Sequence, residues 1–312
     1  MHNYLVTVYC LTYNHGKYAR KTFEGFVRQK TSLKFKVIVH DDASTDDTPD
    51  IIREYAEKYP DIFEPILQTE NQYSKDVDIE DVHIFPRIEG KYIAGCEGDD
   101  YWTDPHKLQL QVDYMEKHPE CSLCVHNTEK ILEDGSSTHT FFNTSKKEKD
   151  YTFEDILLAE PASYCHFSSL MWRNDNVNKR NPAFVMDGIT DYPMVLYLAS
   201  LGYVHYIPRV MSRYRMNAVG SWSSVMNSDK KHRIAQHKSI IKGFRSIDEY
   251  TKHKYSPAIK KAIARESAKI MVMEKDWSSL VRSPKCIAAL FRTTSQKTVR
   301  AVHEKVQAVR GR

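Results

Sequence analysis

The first half of the chain alternates short apolar runs with stretches in which apolar residues recur every three or four positions. Short runs rich in Val and Ile predict buried strands, and the longer spacing predicts helices with one buried face. The resulting order of strand, helix, strand and helix is typical of a parallel sheet with right-handed crossovers. The predicted strands are 5–11, 35–40, 64–68 and 92–96, and the predicted helices are 17–29, 50–58 and 107–117.

The second half adds further strands and then changes to helices. Asp134-Gly135 is a hairpin turn signal, and apolar positions at helical spacing after residue 227 are interrupted at Ser256-Pro257. We therefore expect an α/β domain with a mostly parallel, Rossmann-like central sheet over residues 1–226 and an α-helical C-terminal region over residues 227–312. The further predicted strands are 121–132, 165–173 and one from residue 203, and the further helices begin near residue 152 and at 193.

Polar residues follow three of the predicted strands at the point where each strand ends. They are Thr12 to Asn14, Asp41 to Ser44 and Glu97 to Asp100. Ligands of open parallel sheets bind outside the carboxyl ends of the strands, so three clusters at one edge favour a binding site. Each cluster alone has a second interpretation, because Asp, Ser and Thr also cap helices.

The third cluster is the densest in carboxylates, with Glu97, Asp99 and Asp100 close together. Like charges at this spacing are unfavourable unless a positive group lies beside them, and carboxylate oxygens are ligands for hard divalent cations. Gly98 allows the backbone to turn closely at this point. The alternative is an acidic turn that caps the next helix, for which Asp104-Pro105 is a good start.

Composition indicates a globular protein without a membrane span. The 312 residues are 41% hydrophobic, with a formal net charge of +4. No apolar run reaches the length of a transmembrane helix, and no signal peptide is predicted, so we expect a cytoplasmic location and six reduced, mostly buried cysteines. Cys121 and Cys124 lack a second pair that would complete a metal site. No glycine-rich phosphate motif is present, which disfavours dinucleotide enzymes and P-loop NTPases.

Three segments together resemble the motifs of family 2 glycosyltransferases. They are Val6 to Asn14, Val37 to Asp46 and Lys91 to Asp100, and the resemblance covers about residues 3–220. It implies the GT-A fold and an inverting transfer from a nucleotide-sugar donor. It is specific as to fold and donor class, and weak as to the sugar and the acceptor.

The resemblance also implies roles for individual residues. Tyr13 matches the aromatic residue that lies against the nucleotide base, and Asp42 matches the carboxylate that accepts from a uracil imide. The acidic cluster occupies the position of the DxD signature, with Glu97 in place of the first Asp, and a Mn²⁺ or Mg²⁺ ion is assigned to Asp99, Asp100 or both. The candidate nucleotide-sugar contacts are Thr12, Tyr13, Asn14, Asp42, Asn71, Lys75, Glu97, Gly98, Asp99, Trp102, Arg213 and Arg215.

Several members of that set have alternatives of comparable weight. Asn71 and Lys75 lie where the family places donor contacts, although the charge of the segment also fits a solvated loop. Trp102 could line a sugar pocket or pack against apolar neighbours. Arg213 or Arg215 could contact the diphosphate, because guanidinium groups match phosphate oxygens.

Asp191 is the candidate general base. It stands at the start of an apolar helix, where a simple N-cap formed by Asp191 or Thr190 is the alternative. The resemblance implies the sharper role, because the family carries an acidic residue there, and an inverting transfer needs a carboxylate that removes the acceptor proton. His166 and Ser168 could face the acceptor, although a histidine in the core or at a sheet edge is the commoner explanation.

The sequence therefore predicts a metal-assisted hexosyl- or N-acetylhexosaminyl-transferase that uses a nucleotide sugar, with a UDP-sugar favoured. A non-catalytic nucleotide-sugar or glycan-binding protein on the same fold is the alternative. A nucleotidyltransferase shares the metal chemistry but normally needs a glycine-rich basic loop, and Thr12 to Lys17 contains one glycine.

The tail from Trp277 to Arg312 carries eight Lys and Arg residues and one acid. Valines at 299, 302, 306 and 309 fall at helical spacing, and a basic amphipathic helix can lie on an anionic membrane. An equally weighted interpretation is packing on the protein or on a second subunit of a homo-oligomer. Nucleic acid is disfavoured, because the basic part of the tail after Phe291 lacks aromatic residues on which bases could stack. On the membrane interpretation, the resemblance implies a lipid-linked glycan acceptor at the inner face of a bacterial membrane, as in capsule polysaccharide assembly.

Overall fold

In a computed structural model of the chain, the described residues are 4–160, 164–176, 181–216, 218 and 229–293. The chain divides into two compact units. The first unit comprises residues 1–152, 162–179 and 198–221, and the second comprises 153–161, 180–197 and 222–312. Two internal segments thus group with the C-terminal helices. The domain boundary that we place after residue 226 stays a prediction, and the residues beside it lie outside the described ranges.

The described part of the first unit forms a ten-stranded sheet. Its strands are β1 (Val6–Thr12), β2 (Phe35–Asp41), β3 (Phe63–Leu67), β4 (Tyr92–Gly95), β5 (Tyr101–Trp102), β6 (Cys121–Ile131), β7 (Ser137–Phe141), β8 (Lys149–Tyr151), β9 (Met171–Arg173) and β10 (Tyr203–Arg215). The order across the sheet is β3-β2-β1-β4-β9-β6-β10-β5, while β7 pairs with β6 and β8 with β10.

One half of this sheet is parallel, as the alternating sequence pattern predicts. β1 lies between β2 and β4 and is parallel to both, and β3 is parallel to β2. β6 and β10 also run parallel to each other. The short strand β9 lies antiparallel between β4 and β6, so the complete sheet is mixed. The predicted α/β fold is confirmed.

Helices α1 (Gly16–Val27), α2 (Thr48–Lys58) and α3 (Lys107–Lys117) connect the strands of the first unit. The apolar stripe of α1 is buried, and the Phe23 ring lies 5.4 Å from the Phe63 ring. Pro49 stands in the first turn of α2, where its missing N–H leaves no helical hydrogen bond unmade. Because the apolar positions of these helices cover the sheet, the polar residues after each strand are left at its carboxyl edge.

The segment 165–173 is shorter as a strand than the alternation predicts. Only Met171–Arg173 is extended, and Phe167–Ser169 forms a 3₁₀ turn. The His166 side chain accepts a hydrogen bond from the backbone N–H of Ser168 and caps this turn. Such local side-chain bonds compete with strand pairing and are invisible to periodicity.

The described part of the second unit is helical, which confirms the predicted C-terminal helices. Its helices are α4 (Phe153–Leu158), the first turns of α5 (Asp191–Leu201), α6 (Lys230–Tyr250), α7 (Ser256–Glu274), α8 (Trp277–Arg282) and α9 (Pro284–Thr293). The predicted break at Ser256-Pro257 is the start of α7. Ala268, Leu280 and Cys286 form a small apolar core.

Two expectations from composition can be compared with the described residues. All six cysteines are free and buried, as predicted. Among the residues whose structure is described, no helix has the length and hydropathy needed to cross a membrane. The valine stripe of the tail, at 299, 302, 306 and 309, lies outside the described ranges.

Candidate active site

The carboxyl edge of the parallel strands brings the polar clusters together. The Thr12 hydroxyl donates to Asp41 Oδ1 at 3.0 Å, and the backbone N–H of Asp42 donates to the Thr12 carbonyl at 3.0 Å. Asn14 adopts a positive φ of 56°, and its side-chain oxygen accepts from the backbone N–H of Thr45 at 2.8 Å. These bonds hold the loops after β1 and β2 against each other.

Gly98 joins the third cluster to the other two. Its backbone N–H donates to the Leu11 carbonyl at 3.0 Å. A Cβ atom at this position would lie 2.6 Å from Thr12 Cγ2 and 2.8 Å from His15 Nδ1, too close for any side chain. Glycine is therefore required for the turn from Glu97 to Asp100, here called the acidic turn, to approach the loop after β1.

Glu97, Asp100 and His166 form a group of potential metal ligands. One ligand atom from each residue lies within 4.8 Å of the others. Asp100 is fully buried, and its Oδ1 accepts from the backbone N–H of Arg215 at 2.9 Å. Its Oδ2 has no hydrogen-bond partner in the described structure and lies 3.5 Å from His166 Nδ1. Asp99 is next to this group in the chain but is not one of its members.

The electrostatics of this group favour a bound cation. Burial raises the pKa of Asp100 well above its usual value, and the neighbouring charges of Asp99 and Glu97 raise it further. Burial, together with the charge of Lys130, lowers the pKa of His166 to about 3, so its imidazole is neutral at pH 7. Carboxylate oxygens and a neutral imidazole suit a divalent cation such as Mn²⁺. The donor set therefore fits the metal that the sequence implies.

The loop after β3 is attached to Asp42. The two carboxylate oxygens of Asp42 accept from the backbone N–H groups of Gln72 at 2.6 Å and Tyr73 at 3.1 Å. Asn71 donates to the Asp42 carbonyl at 3.1 Å, and Lys75 forms an ion pair with Glu70. The sequence predicts that Asp42, Asn71 and Lys75 contact the nucleotide sugar. In the structure, these residues form bonds that hold the loop after β3 in its shape.

Two exposed tyrosines belong to the loops that are hydrogen-bonded to Asp42. Tyr13, the predicted base contact, is 44% exposed, and Tyr73 is 64% exposed. Sequence reasoning missed Tyr73, because it stands in a charged segment that resembles a solvated loop. Exposed aromatic rings offer faces on which a planar base can stack.

Trp102 and Arg215 lie beneath the acidic turn. Trp102 is 3% exposed; its ring packs edge-on against Phe26, and its indole N–H donates to the Ser168 carbonyl at 2.9 Å. The buried guanidinium of Arg215 donates to the carbonyl oxygens of Asp99 at 3.1 Å and Glu133 at 2.6 Å. These placements fit support of the turn more directly than contact with a sugar.

Arg213 is also paired within the chain. Its Nε lies 2.9 Å from Glu129 Oε2, and its Nη1 donates to the Tyr101 hydroxyl at 3.3 Å. A contact from Arg213 to the donor diphosphate stays a prediction, as do the contacts assigned to Trp102 and Arg215.

Asp191 stands in the first turn of α5, which begins two residues before the predicted helix. Its side chain is exposed and accepts from the Thr190 hydroxyl at 3.3 Å. It belongs to the second unit, whereas the acidic turn belongs to the first. Its role as a general base stays a prediction.

Sequence reasoning missed His166 as a ligand. His166 Nδ1 lies 3.0 Å from Ser168 Oγ, which donates to Ser212 Oγ at 2.9 Å, and Ser212 Oγ lies 2.8 Å from Thr128 Oγ1. These hydroxyls come from three separate strands or turns. The available signal was the polar pair His166 and Ser168 within an otherwise apolar run.

A comparison with sequence models of protein families shows the family to which the chain belongs. The sequence model described as Glycosyl transferase family 2 matches residues 7–179, more than half of the chain. The chain belongs to glycosyl transferase family 2. The matched range includes all three polar clusters and His166, whereas Asp191, Arg213 and Arg215 lie beyond it.

Curated relatives of this family 2 member cover different shares of their own length. The protein Rv1520 of Mycobacterium tuberculosis is 38% identical over 226 residues, which is 72% of this chain and 63% of that protein. The chain therefore spans less than two thirds of this relative. The Escherichia coli protein UDP-Glc:alpha-D-GlcNAc-diphosphoundecaprenol beta-1,3-glucosyltransferase WfaP is 25% identical over 268 residues, 81% of this chain and 96% of that protein.

Solved structures share the fold at low sequence identity. Staphylococcus aureus TarS in complex with UDP gives a TM-score of 0.61 at 12% identity, over 96% of this chain and 83% of that chain. The mannosyltransferase PcManGT from Pyrobaculum calidifontis, in complex with GDP-Man and Mn²⁺, gives 0.55 at 17% identity, over 98% and 88%. The predicted GT-A fold and the family resemblance are confirmed.

Proposed function

We propose that this family 2 member is an inverting, metal-assisted glycosyltransferase. It transfers a hexosyl or N-acetylhexosaminyl group from a nucleotide sugar to a glycan or a lipid-linked glycan. The observation that carries the proposal is the fully buried Asp100 carboxylate, whose Oδ2 has no hydrogen-bond partner in the described structure and lies beside Glu97 and His166. A buried charge without a partner is strongly unfavourable, and a bound cation removes that cost.

Glu97, Asp100 and His166 would hold the cation, with Asp99 beside them. A bound Mn²⁺ or Mg²⁺ ion would supply Lewis-acid stabilisation of the negative charge that develops on the departing diphosphate. Tyr13 and Tyr73 offer exposed rings for the base, and Asp42 keeps the loop after β3 in place. Gly98 allows the acidic turn to lie close to the loop after β1.

Asp191 would act as the general base. In an inverting transfer the acceptor hydroxyl attacks the anomeric carbon from the face opposite the leaving group, and a carboxylate within hydrogen-bond reach takes its proton. Asp191 suits this role because its carboxylate is exposed at a helix N-terminus, where negative charge is favoured. Asp99 and Asp100 would not be available if they bind the cation.

The favoured donor is a UDP-sugar, and the favoured acceptor is a lipid-linked glycan. The name of the Escherichia coli relative contains UDP-Glc and a diphosphoundecaprenol acceptor. GDP-Man, bound in one of the solved structures, is the competing donor type. With a lipid-linked acceptor, the protein would work at the inner face of a bacterial membrane, with its basic tail as the contact.

The test is a screen of UDP- and GDP-sugars with Mn²⁺ and a diphosphate-lipid acceptor, in which nucleotide release and glycan product are measured. Asp191→Asn should retain nucleotide binding and lose transfer by about 10²–10⁴-fold, the usual contribution of a general base. Tight nucleotide binding without transfer to any acceptor would favour the non-catalytic alternative. Unchanged transfer by Asp191→Asn would remove this residue from the mechanism.

A further inference from the structure

Lys130 differs from the other interior lysines of the first unit. It lies near the end of β6 and is half-buried, and burial lowers its pKa. Lys36 contacts two glutamates at 2.8 and 3.0 Å, and Lys107 donates to Gln111 Oε1 at 2.8 Å. No described residue forms a hydrogen bond or an ion pair with the Lys130 ammonium.

The ammonium of Lys130 lies over an aromatic ring that is close to the candidate metal ligands. Lys130 Nζ is 4.5 Å from the centre of the Phe142 ring. The Phe142 ring is in turn 5.0 Å from the ring of His166, which belongs to the group with Glu97 and Asp100. Lys130 also pairs in register with Tyr214, the residue before Arg215, whose backbone N–H holds Asp100. Lys130 therefore lies at the same edge of the sheet as the candidate metal site.

A half-buried ammonium without a paired carboxylate is suited to a bound anion. A lysine ammonium supplies three N–H donors as a compact point charge, a common arrangement for phosphate oxygens. If the acidic group holds a divalent cation, the phosphate oxygens that do not contact the cation still need donors. Packing of the Lys130 side chain on Phe142 for stability alone is the competing explanation.

We propose that Lys130 binds a phosphate or diphosphate group of a substrate at this site. The inference rests on the proposed function for the identity of that substrate. The phosphate could belong to the nucleotide-sugar donor or to the diphosphate of a lipid-linked acceptor. Both sources present the same chemistry to the ammonium, and the experiment separates them.

The experiment uses the full chain with Mn²⁺ and compares Lys130→Met, which keeps the side-chain length, with Lys130→Arg, which keeps the charge. Lys149→Met is a matched control, because the Lys149 ammonium also lies over an aromatic ring, 4.4 Å from the centre of Tyr151. Lys149 pairs in register with Tyr206, which is nearer the opposite end of β10 from Tyr214. Calorimetry measures affinity for UDP, uridine and inorganic pyrophosphate. Steady-state kinetics measures KM for a diphosphate-lipid acceptor.

On the donor alternative, Lys130→Met should weaken UDP binding by about 10- to 100-fold, as expected for a lost hydrogen bond to a charged group. Uridine binding should stay unchanged, and Lys130→Arg should recover part of the UDP affinity. On the acceptor alternative, UDP binding is retained and KM for the acceptor rises by a similar factor. Lys149→Met should behave as wild type in every assay.

Three outcomes would overturn the proposal: equal losses for UDP and uridine, equal losses in Lys130→Met and Lys149→Met, or no change in any assay. Pyrophosphate separates this inference from the proposed function. Lys130-dependent pyrophosphate binding without any binding of UDP, or of GDP measured in the same way, would keep the phosphate site and reject the nucleotide-sugar function. A wild-type chain that binds neither pyrophosphate nor either nucleotide would reject both.

Discussion

Asp100 in the first unit and Glu266 in the second are both fully buried carboxylates, yet their surroundings differ. Glu266 accepts from Arg265 Nε at 2.7 Å and from His237 Nδ1 at 2.7 Å, and Lys269 Nζ lies 3.4 Å away. Asp100 receives one backbone N–H, and no Lys or Arg side chain of the described chain lies within ion-pair distance of it.

The pKa values of the two carboxyl groups move in opposite directions. Burial raises the pKa of Asp100, the charges of Asp99 and Glu97 add to the rise, and Arg215 offsets it only in part. Burial also raises the pKa of Glu266, but the His237 hydrogen bond and the charges of Lys269 and Arg265 outweigh it and lower the pKa to about 2. The chain itself stabilises the charge of Glu266, whereas the charge of Asp100 requires a cation from outside. The surroundings of Glu266 are those of a structural charge, whereas the surroundings of Asp100 are typical of a ligand site.

Among the changes that test this comparison, Asp100→Asn should have the largest effect, and that effect is on transfer. The amide oxygen can still accept from the backbone N–H of Arg215, so the fold should remain. A bound divalent cation supplies several kcal/mol of transition-state stabilisation, so transfer should fall by roughly 10²-fold or more. Without metal, the melting temperature should be unchanged or higher than in wild type, because a buried carboxyl group whose Oδ2 has no hydrogen-bond partner in the described structure has been replaced.

Metal titration makes this prediction more specific. Mn²⁺ should raise the melting temperature of the wild-type chain, because a ligand that binds only the folded state stabilises it. Asp100→Asn should lose that rise. A variant that melts lower without metal and still responds to Mn²⁺ would show that Asp100 is structural, like Glu266.

The matching change in the second unit is Glu266→Gln, which should affect stability instead. It removes the nearer of the two carboxylates that contact the buried Arg265 guanidinium and leaves Glu160 at 3.8 Å, and breaking a buried ion pair costs about 3–5 kcal/mol. Denaturant unfolding measures the loss. Glu274→Gln is the control, because Glu274 is exposed and lies 3.9 Å from Lys238. Equal stabilities of the two variants would contradict the comparison.

The fold was predictable where its signals are local. The ends of β1, β2 and β4 lie within one residue of the predicted ends, because a run of β-branched residues is terminated by polar ones. The polar clusters at one edge follow from the parallel order of those strands. Gly98 was also identifiable from sequence, although the contacts that require glycine there became visible only in the structure.

The remaining features depend on contacts between segments that are distant in the sequence. The spacing of apolar residues does not predict such contacts. His166 joins Glu97 and Asp100 through a 3₁₀ turn and the antiparallel strand β9, and neither has a periodic signal. The grouping of residues 180–197 with the C-terminal helices arises from contacts across long sequence separations. Tyr192, for example, is buried against Phe244 of α6, with their rings 6.2 Å apart. No local pattern indicates that partner.

Acid titration should give a somewhat smaller effect than Glu266→Gln. Glu266 has a pKa of about 2 in the folded protein against a usual value of 4.5. Its charge therefore contributes stability that is complete above pH 4.5 and lost as the pH falls towards 2. The difference corresponds to about 3 kcal/mol. The stability gap between wild type and Glu266→Gln, measured at several pH values, should narrow over this window. A constant gap would assign the loss to packing rather than to charge.

The smallest net effect at pH 7 is expected for Lys107→Met. Lys107 is fully buried, with its ammonium over the Trp102 ring at 4.1 Å and bonded to Gln111 Oε1. Burial lowers the pKa of Lys107 to about 7 from a usual value of 10.5, because the buried amine has no carboxylate of the described chain within ion-pair distance and burial favours its neutral form. Methionine removes the cost of burying the amine but leaves Gln111 without a donor, and the two changes offset to within about 1–2 kcal/mol.

The pH dependence of Lys107→Met is the sharper readout. Between pH 7 and 10.5 the unfolded chain holds a proton on Lys107 that the folded chain has lost, so wild-type stability should increase with pH through this range. The variant lacks that contribution, so its stability relative to wild type should decrease steadily from pH 7 to 10. Parallel stability curves for the two chains would mean that Lys107 keeps its proton when folded. The core would then compensate this charge as fully as the second unit compensates Glu266.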